Sequence, residues 1–406
     1  MGGNAWEQNY SQKVKTLRPS PIREILNVVK QPGMISFAGG MPAPEVFPVD
    51  EFFLDSTMIK AQGAEIMQYG TTEGDPRLRK FLAEWQEPRL GRVVNDKEMI
   101  LTTGSQQALD LLGWVMIDPG SVVITEDPTY LSALSVFVNH GASFVTVPMD
   151  EHGMVVEKLP QTIEKIRAEG KSPKFIYTIV NFQNPAGATM SVERRQQLAE
   201  ISERYGVPIL EDDPYGYIRY DGEHLPSVFS FDKAGNTIYA GSFSKILSPG
   251  TRIGWVCGNE NVIRQLAIFK QFTDLCSSPI TQALAYEYCK NGYLDSHLPV
   301  IIDNYRVKRD AMEKSLIKHL TPLGVTWVKP EGGFFYWLDF GGINASLLAK
   351  KALEKQVAFI PDEPFCVQKE LGERFGRVNF TYSQPDVIDE GVRRLAEAIS
   401  EIKAGH

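Results

Sequence analysis

The sequence predicts an α/β fold, with a large domain built on a doubly wound, mixed sheet of seven strands and a smaller α+β domain. Two observations support this prediction. Between residues 48 and 295, short apolar runs alternate with amphipathic helical stretches, which is the pattern of a sheet covered on both faces. From residue 296 onward, a long helical stretch leads to a mixture of β-like segments and helices. A chain of 406 residues is long enough to bury a core in each domain.

The predicted domain boundaries lie where the pattern changes. Residues 1–47 form an arm with a polar helix and an irregular segment, in which Pro21 starts a helix, and this arm is assigned to the small domain. Residues 48–295 form the large domain, and residues 296–406 form the small C-terminal domain. The predicted strands of the large domain are 99–102, 121–125, 143–148, 174–180, 208–211, 237–240 and 252–258. The elements predicted in the small domain are a helix over 296–319, β segments over 330–337 and 376–380, and a last helix over 386–402.

The composition excludes several classes of function. A formal net charge of −8 does not provide the basic face that nucleic acids and anionic membranes require, so small molecules are the expected partners. The longest apolar runs fall well short of the ~18 residues of a membrane span, and the N-terminus lacks the pattern of a signal peptide. We therefore expect a cytoplasmic protein. The 4 cysteines and 6 histidines are widely spaced, so the sequence indicates neither a disulfide framework nor a metal site.

The first candidate for a reactive group is Lys245. It ends the stretch Gly241-Ser242-Phe243-Ser244-Lys245, which follows the apolar run 237–240 and therefore lies at the carboxyl end of a buried strand. Arg252 follows closely in the chain. A lysine that is near a second cation and short of water has a lowered pKa, which makes it a nucleophilic amine able to form a Schiff base. The alternative is a solvated surface lysine, which is the commoner case for a lysine taken alone.

An anion site is predicted after another strand. The stretch Thr102-Thr103-Gly104-Ser105-Gln106-Gln107 is typical of a strand end, a glycine turn and a helix start. Free backbone N–H groups and the positive end of the helix dipole would face a phosphate there, with Ser105 and Gln106 beside it. Ser242 and Arg252 would supply the remaining contacts, the arginine by charge-assisted hydrogen bonds. The alternative is a serine N-cap without a ligand.

Acidic side chains follow a third predicted strand, in Glu211-Asp212-Asp213-Pro214-Tyr215. A carboxylate at the end of a buried strand is costly unless it is paired. A pyridinium nitrogen is a fitting partner, because Asp212 would keep that nitrogen protonated and the protonated ring would act as an electron sink.

Other residues suit the same aromatic ring. Tyr215 and Asn184 would hydrogen-bond its phenolic oxygen, although an Asx turn before Pro185 explains Asn184 nearly as well. Tyr130 would stack on the ring face, although an isolated tyrosine more often belongs to the core. The glycine pair that ends at Gly40 either permits an unusually close backbone approach or forms a plain turn.

Together these stretches resemble the pyridoxal-phosphate (PLP) enzymes of fold type I, namely the class I/II aminotransferases with the aspartate-aminotransferase fold. The resemblance runs from Arg23 to Arg377 and is greatest to the subgroup of 2-aminoadipate, kynurenine and aromatic aminotransferases. Each motif is weak alone, but their order and spacing are specific together. The matching motifs are Ser20-Pro21-Ile22-Arg23-Glu24, Phe37-Ala38-Gly39-Gly40, Gln68-Tyr69, Glu73-Gly74, Gly104-Ser105-Gln106-Gln107, Asn184-Pro185-Ala186-Gly187, Glu211-Asp212-Asp213-Pro214-Tyr215, Gly241-Ser242-Phe243-Ser244-Lys245, Pro330-Glu331-Gly332-Gly333 and Arg377-Val378-Asn379-Phe380.

The resemblance implies roles for these residues. Lys245 would form the internal aldimine with PLP and move the proton, and Arg377 would bind the substrate α-carboxylate as a planar fork. Tyr69 would reach the phosphate of the neighbouring subunit, which implies a homodimer with shared sites. Arg23 would lie near the substrate side chain, and a surface ion pair with Glu24 is the alternative for it. The implied substrate-binding residues are therefore Arg377, Asn184, Gly40 and Arg23.

We therefore predict a PLP-dependent transaminase that moves an amino group from an L-amino acid to a 2-oxo acid, with 2-oxoglutarate as the expected acceptor, by a ping-pong mechanism. Expected donors are 2-aminoadipate, aromatic and branched or aliphatic amino acids. The family often has Pro-Gly where this chain has Pro361-Asp362; if that loop borders the substrate mouth, Asp362 and Glu363 weaken the case for a dicarboxylate acceptor. Two alternatives stay open. One is another PLP enzyme such as a C–S lyase, and the other is a non-catalytic regulator, which would need a DNA-binding module ahead of Phe37.

Overall fold

The main feature of the computed structural model, which describes residues 4–11, 14, 32–54, 61–368 and 373–405, is a mixed sheet of 8 strands. In chain order the strands of the described residues are β1 (Ile35–Ser36), β2 (Met99–Thr102), β3 (Val122–Asp127), β4 (Ser143–Asp150), β5 (Gly153–Met154), β6 (Pro173–Thr178), β7 (Ile209–Asp212), β8 (Thr237–Ser242), β9 (Gly254–Cys257), β10 (Phe335–Asp339), β11 (Val357–Ala358), β12 (Ile360–Pro361) and β13 (Phe375–Asn379).

The large sheet has the order β2-β9-β8-β7-β6-β3-β4-β5. Its five central strands β8, β7, β6, β3 and β4 are parallel to one another. β9 is antiparallel to both β2 and β8, and β5 is antiparallel to β4. The predicted fold class, a doubly wound mixed sheet with a smaller α+β part, is confirmed.

The observed strands differ from the predicted ones in identifiable ways. The predicted count of seven is short by one strand, because β5 contains only 2 residues and gives no pattern that a sequence can reveal. β3 and β8 continue past the predicted ends at residues 125 and 240, since hydrogen bonding extends into polar or small residues. β9 begins at Gly254 instead of residue 252, because Arg252 has a left-handed backbone with φ 52.

Helices cover both faces of the large sheet. Along β6, Phe175 and Tyr177 belong to a buried core that includes residues of helix Ser105–Met116, whereas Ile176 belongs to a core that includes residues of helix Val192–Tyr205. This alternation is what a strand buried on both sides requires. The α-helices of the described residues are Ala5–Gln8, Val49–Leu54, Pro76–Trp85, Glu87–Leu90, Ser105–Met116, Leu131–Asn139, Leu159–Ala168, Val192–Tyr205, Val228–Phe231, Glu260–Thr273, Pro279–Lys290, Tyr293–His319, Ala345–Glu354 and Pro385–Ala404.

The C-terminal part is built on the antiparallel sheet β10-β13-β12. The predicted β segment over 330–337 starts only at Phe335, because Gly333 has φ +67 and a Cβ at this position would lie 2.5 Å from Phe182 Cβ. The N-terminal strand β1 pairs in parallel with β11, so residues 35–36 join the C-terminal part. The domain boundaries at residues 47 and 295 stay predictions. No helix in the described part of the chain has the length and apolar character needed to cross a membrane.

One edge of the large sheet gathers the ends of several strands. Because β3, β6, β7 and β8 are parallel, their last residues Asp127, Thr178, Asp212 and Ser242 lie along the same edge. β2 has the same direction as β8, since both are antiparallel to β9, so the turn after Thr102 lies there too. Open α/β sheets bind their ligands at this edge.

Candidate active site

A cavity of about 340 Å³ opens at this edge of the sheet. It brings together most of the residues that the sequence predicted for the site, although they come from distant parts of the chain. The predicted residues that line it are Gly40, Ser105, Gln106, Tyr130, Asn184, Asp212, Tyr215, Ser242, Lys245, Arg252 and Arg377. Among the described residues, no group of three or more His, Cys, Asp or Glu side chains is placed to hold a metal ion.

Lys245 lies in the turn that follows β8, and its Nζ donates a hydrogen bond of 2.9 Å to the carbonyl oxygen of Gly40. Aromatic rings line the other side of the ammonium, with the ring centre of Phe334 at 5.2 Å and that of Tyr215 at 6.0 Å. Burial lowers the pKa of Lys245 to about 8, and the positive charges of Arg377 and Arg252 add to this effect. The sequence analysis attributed the lowered pKa to a shortage of water and to Arg252; the structure adds Arg377, whose charge contributes more than that of Arg252.

The glycine turn after β2 forms one end of the cavity. Gly104 is the N-cap of helix Ser105–Met116 and provides no side-chain cap, so the alternative of a serine N-cap is wrong. A Cβ at Gly104 would lie 2.4 Å from Nη2 of Arg252, and a Cβ at Gly254 would lie 2.9 Å from the Ser105 nitrogen. Only glycine fits at these positions. The uncapped helix start and the guanidinium therefore form an anion-binding end.

Arg252 is held over this anion-binding end by two backbone carbonyls. Its Nη1 donates to Pro249 O and its Nη2 donates to Thr103 O, both at 3.3 Å. On the other side, Ser242 Oγ accepts from the backbone nitrogen of Ser244 at 3.0 Å and donates to Ser244 Oγ at 2.9 Å. Hydroxyls, backbone N–H groups and one guanidinium thus converge, as a phosphate dianion requires.

A buried polar network supports this anion-binding end from behind. Lys270 Nζ lies 2.6 Å from Asp274 Oδ1, and its side chain is fully buried. Asp274 Oδ2 accepts hydrogen bonds from Thr103 Oγ1 at 2.8 Å and from Gln107 Nε2 at 2.7 Å. Gln107, which belongs to a predicted motif, therefore supports the turn and does not line the cavity.

Asp212 forms the opposite end of the cavity. Asp212 is 2% exposed, and its Oδ2 accepts a hydrogen bond of 2.9 Å from the hydroxyl of Tyr177. Its Oδ1 is buried and has no hydrogen-bond partner among the described residues. Burial raises the pKa of Asp212 to about 7. A carboxylate oxygen of this kind is destabilised until a donor, such as a protonated ring nitrogen, reaches it.

The neighbouring Asp213 has a different environment. It receives hydrogen bonds from Arg89 Nη1 at 3.1 Å, from the hydroxyl of Tyr239 at 3.0 Å and from Asn181 Nδ2 at 2.9 Å. Both of its oxygens are therefore occupied by protein groups. Asp212, and not Asp213, has an oxygen left for a ligand.

Arg377 lies on β13 between the rings of Phe335 and Phe365, whose centres are 4.2 and 4.9 Å from its guanidinium carbon. Its Nη1 donates to Asn184 Oδ1 and its Nη2 donates to Ala38 O, both at 2.8 Å. Its Nε is buried and has no hydrogen-bond partner in the part of the chain that the structure describes. Burial lowers the pKa of Arg377 to about 10. A buried cation with a free donor suits an anionic ligand.

The structure decides between the alternatives for Asn184. An Asx turn would use its side chain to accept a backbone N–H, but the N–H of Ala186 donates to Gln183 Oε1. Asn184 Oδ1 instead accepts from Arg377, which leaves its Nδ2 as the donor for a ligand. The Asx-turn alternative is therefore wrong.

Two tyrosines complete the walls of the cavity. Tyr215 is 4% exposed and packs against the rings of Phe334 and Phe335, with centres at 5.3 and 5.9 Å. Tyr130 precedes helix Leu131–Asn139, contacts the neighbouring core and also lines the cavity, and its stacking on a ring stays a prediction. Burial raises the pKa of both hydroxyls, which keeps them protonated hydrogen-bond donors.

Some predicted residues are not in the cavity. Tyr69 is 76% exposed and does not line it, and Arg23 lies outside the described residues. Asp362 is buried away from the cavity, with its Oδ2 accepting from the backbone nitrogen of Phe375 at 2.7 Å, and Glu363 is exposed. Because neither acid lines the cavity, they give no argument against a dicarboxylate acceptor.

The sequence analysis missed several residues of the site. Ser244, Phe335 and Ser132 line the cavity, and Tyr177 contacts Asp212. Ser244 and Phe335 lie within or directly after quoted motifs, so the motifs gave a signal for them. Tyr177 lies in the middle of an apolar strand pattern, and nothing in the sequence separates it from a core tyrosine.

Comparisons with known proteins identify the family of the chain. The model of the family "Aminotransferase class I and II" matches residues 51–395. Aromatic-amino-acid aminotransferase 1 of Thermococcus litoralis is 44% identical over 98% of this chain and 95% of its own length. The 2-aminoadipate transaminase of Thermus thermophilus is 36% identical over 98% of both chains. The crystal structure of Pyrococcus horikoshii kynurenine aminotransferase, solved in complex with PMP, is 41% identical, superposes with a TM-score of 0.93 and matches over 98% of both chains.

These relatives cover nearly the whole chain, and the family model covers most of it. They also agree with the resemblance that the motifs indicated, including its subgroup of aromatic, 2-aminoadipate and kynurenine aminotransferases. The chain belongs to the family of class I and II aminotransferases and is a PLP-dependent transaminase.

Proposed function

We propose that this transaminase uses Lys245 as its catalytic base and transfers an amino group from an L-amino acid to 2-oxoglutarate by a ping-pong mechanism. One observation supports this proposal above the others. A single cavity contains an amine of lowered pKa, an anion-binding helix start and a buried carboxylate oxygen to which no described residue donates. It also contains a buried arginine whose Nε has no partner among the described residues.

The residues present fit PLP. The phosphate would bind at Ser105, Gln106, Ser242 and Arg252, where the helix start is uncapped. The ring nitrogen would meet Asp212 Oδ1, to which no described residue donates a hydrogen bond. Nδ2 of Asn184 and the hydroxyl of Tyr215 would donate to the phenolic oxygen, and Tyr130 would cover the ring. When bound, the protonated ring supplies an electron sink for the carbanion at the substrate Cα.

Lys245 is the group that moves a proton at the substrate Cα. At a pKa of about 8, roughly one lysine in ten is neutral at pH 7, whereas an ordinary lysine is almost entirely protonated. The Gly40 carbonyl holds the amine by a hydrogen bond of 2.9 Å, so the amine stays at the centre of the cavity. The rings of Phe334 and Tyr215 lie beside the amine, with their centres at 5.2 and 6.0 Å.

Arg377 binds the α-carboxylate that every substrate shares. Its guanidinium plane is fixed between Phe335 and Phe365, and its free Nε gives it an unused donor for a carboxylate. The hydrogen bond to Asn184 connects this substrate contact to the cofactor contact. Gly40 lies beside the substrate contact and the cofactor contact. Its backbone can come close to the Phe335 ring because it has no side chain: a Cβ there would be 3.1 Å from that ring.

The proposed donors are 2-aminoadipate, aromatic and branched or aliphatic amino acids. The names of the relatives, which include aromatic-amino-acid, 2-aminoadipate and kynurenine aminotransferases, support the first two classes. A distal carboxylate of 2-oxoglutarate or 2-aminoadipate would need a second cation, and the sequence-based candidate for it is Arg23. That assignment stays a prediction.

A homodimer with shared sites is part of the proposal. Tyr69 is 76% exposed, and the nearby Met67 is 74% exposed, which is unusual for large apolar side chains unless another surface covers them. Phe272 is 82% exposed. A second copy of the chain that covers these residues would bring Tyr69 to the phosphate of the neighbouring site. The cytoplasmic location stays a prediction from the sequence.

The function is tested by incubating the purified protein with PLP, 2-oxoglutarate and a panel of L-amino acids, and by measuring glutamate. Glutamate should form with donors of the proposed classes and should not form with Lys245→Ala. Borohydride reduction should fix the cofactor on Lys245 and not on Lys270, which is the control because it is also buried. Product release from a sulfur amino acid without glutamate would favour a C–S lyase instead.

A further inference from the structure

Two tyrosine hydroxyls donate to two adjacent buried aspartates. Tyr177 donates to Asp212 Oδ2 at 2.9 Å, and Tyr239 donates to Asp213 Oδ2 at 3.0 Å. Asp213 has further partners, including Arg89. For Asp212, the hydroxyl of Tyr177 is the one hydrogen-bond donor that the described residues supply.

The position of Tyr177 is fixed by the sheet and by packing. It lies on β6 opposite Leu210 of β7, so its side chain shares a face with Asp212, two residues further along β7. The residue is 1% exposed, and its ring makes an edge contact with Phe137 at 5.7 Å between centres. The hydroxyl cannot turn to water, and its direction toward Asp212 is therefore constant.

We propose that Tyr177 is a positioning residue that keeps Asp212 ionised and directs its Oδ1 at the ring nitrogen of the cofactor. This inference rests on the proposed placement of that nitrogen at Asp212. In this arrangement Tyr177, which lies outside the cavity, controls whether the ring nitrogen is protonated. Protonation of that nitrogen makes the cofactor an electron sink.

One proton can reside either on the carboxylate of Asp212 or on the ring nitrogen of the cofactor. Burial and the nearby charge of Asp213 favour a protonated, neutral Asp212, whereas the hydrogen bond from Tyr177 favours its charged form. Burial, together with the charge of Asp212, raises the pKa of the nearby buried Glu126 to about 7. If Tyr177 is removed, the proton shared between Asp212 and the ring nitrogen moves toward the carboxylate. The ring then becomes neutral and withdraws electrons less well.

The experiment uses the purified full-length holoenzyme, reconstituted with PLP that carries ¹⁵N in its ring. The ¹⁵N chemical shift distinguishes a protonated from a neutral ring nitrogen. Tyr177→Phe, which deletes one hydroxyl, should move the signal toward the neutral position. The same variant should slow exchange of the substrate Cα hydrogen with solvent by about tenfold or more, as expected for the loss of a hydrogen bond to a charged group.

Tyr239→Phe is the matched control, because it deletes an equally buried hydroxyl that donates to the adjacent aspartate. It should lower the thermal unfolding midpoint at least as much as Tyr177→Phe does and leave the ¹⁵N signal at the wild-type position. A Tyr177→Phe signal at the wild-type position would overturn the inference. Equal signal changes in both variants would also overturn it, since the effect would then be general loosening.

Two further measurements separate this inference from the proposed function. Reconstitution with a PLP analogue that has carbon in place of the ring nitrogen should make wild type and Tyr177→Phe exchange the Cα hydrogen at equal rates. A remaining difference would overturn the inference. Asp212→Asn should also move the ¹⁵N signal; if it does not, the placement of the ring nitrogen is wrong and both proposals fail. If only Asp212→Asn moves the signal, the role of Tyr177 alone is wrong.

Discussion

The guanidinium of Arg89 and the carboxylate of Asp213 form a buried ion pair with 3.1 Å between Nη1 and Oδ2, directly beside the carboxylate that faces the cavity. The side chains of Arg89 and Asp213 are 6% and 0% exposed. The pair holds the end of β7 in place. Two adjacent aspartates thus have separate tasks, one in the scaffold and one at the ligand.

The first prediction is that these two aspartates respond differently to the same substitution. Asp212→Asn should slow Cα proton exchange by about a hundredfold or more, the scale typical for loss of one electrostatic contact to a reacting group. Asp213→Asn should lower the free energy of unfolding by about 3–5 kcal/mol, because Arg89 is left buried without its counter-ion. Exchange rates and thermal unfolding of the two variants measure this. The two roles would be reversed if Asp213→Asn were fully stable but slow in Cα proton exchange while Asp212→Asn exchanged at a nearly normal rate.

The second prediction concerns the stability of the PLP-free protein. Burial raises the pKa of Asp212 to about 7 from 3.8, so between these values the folded protein binds more protons than the unfolded chain. The contribution of Asp212 to stability therefore falls as the pH rises through this window. Asp212→Asn cannot ionise, so it should stabilise the PLP-free protein near pH 8, by at most about 4 kcal/mol at ~1.4 kcal/mol per pKa unit.

Thermal unfolding of PLP-free wild type and Asp212→Asn at several pH values tests this. The gain should become small near pH 4 and vanish below about pH 3, where Asp212 is neutral in both the folded and the unfolded state. It should shrink when PLP is added, because the charge then has a partner. Asp213→Asn serves as the control and should be less stable than wild type at every pH. An Asp212→Asn protein that is equally destabilised at all pH values would contradict the argument.

The sequence allowed the fold and much of the site to be predicted because the relevant signals are local. A strand followed by a glycine turn or by acidic residues is visible within ten or so residues, and it identified Lys245, Asp212 and the helix start at Ser105. Contacts between distant residues gave no such signal. Asp213 pairs with Arg89 of a separate helix, and Tyr177 on β6 contacts Asp212 on the adjacent strand β7. Neither partner could be chosen without knowing the sheet order.

Local alternatives failed for the same reason. A serine N-cap and an Asx turn are the commonest uses of Ser105 and Asn184 when only neighbours in sequence are considered. Gly104 takes the N-cap position because Arg252 leaves no room for a side chain there, and Asn184 turns away from its own loop because Arg377 donates to it. Both facts depend on arginines far along the chain.

The third prediction concerns Tyr69 and the dimer. If the hydroxyl of Tyr69 serves the neighbouring site, Tyr69→Phe should weaken PLP retention. Mixing it with the inactive Lys245→Ala protein should produce hybrid dimers in which one site has both defects and the other has none. Activity of the mixture should therefore exceed the sum of its parts. The measurement is activity after joint unfolding and refolding, with PLP limiting; a protein that is monomeric and active at assay concentrations would rule out this arrangement.

The fourth prediction concerns the network behind the anion-binding end. Asp274→Asn leaves Lys270, whose side chain is fully buried, without its charge partner and removes the acceptor of the Thr103 hydroxyl. Release of PLP should become faster, because the turn that holds Arg252 loses its support, while turnover at saturating PLP stays within a few-fold of wild type. Dialysis followed by absorbance of the retained PLP measures this. Glu354→Gln, which affects the exposed pair with Lys351, is the control and should retain PLP normally.

The last prediction concerns Arg377, whose proposed partner in every half-reaction is an α-carboxylate. Because amino acids and 2-oxo acids all have this group, Arg377→Ala should reduce kcat/KM for all donors and acceptors by similar factors, equivalent to about 2–5 kcal/mol for a lost buried charge contact. Arg377→Lys should recover only part of this, since an ammonium cannot form the planar fork between Phe335 and Phe365. Arg374→Ala is the control: this arginine is three residues earlier, its side chain is 57% exposed, and it pairs with Asp339. Steady-state kinetics with an aromatic donor, 2-aminoadipate and 2-oxoglutarate would decide the matter, since a loss confined to one substrate class would assign Arg377 to side-chain recognition instead.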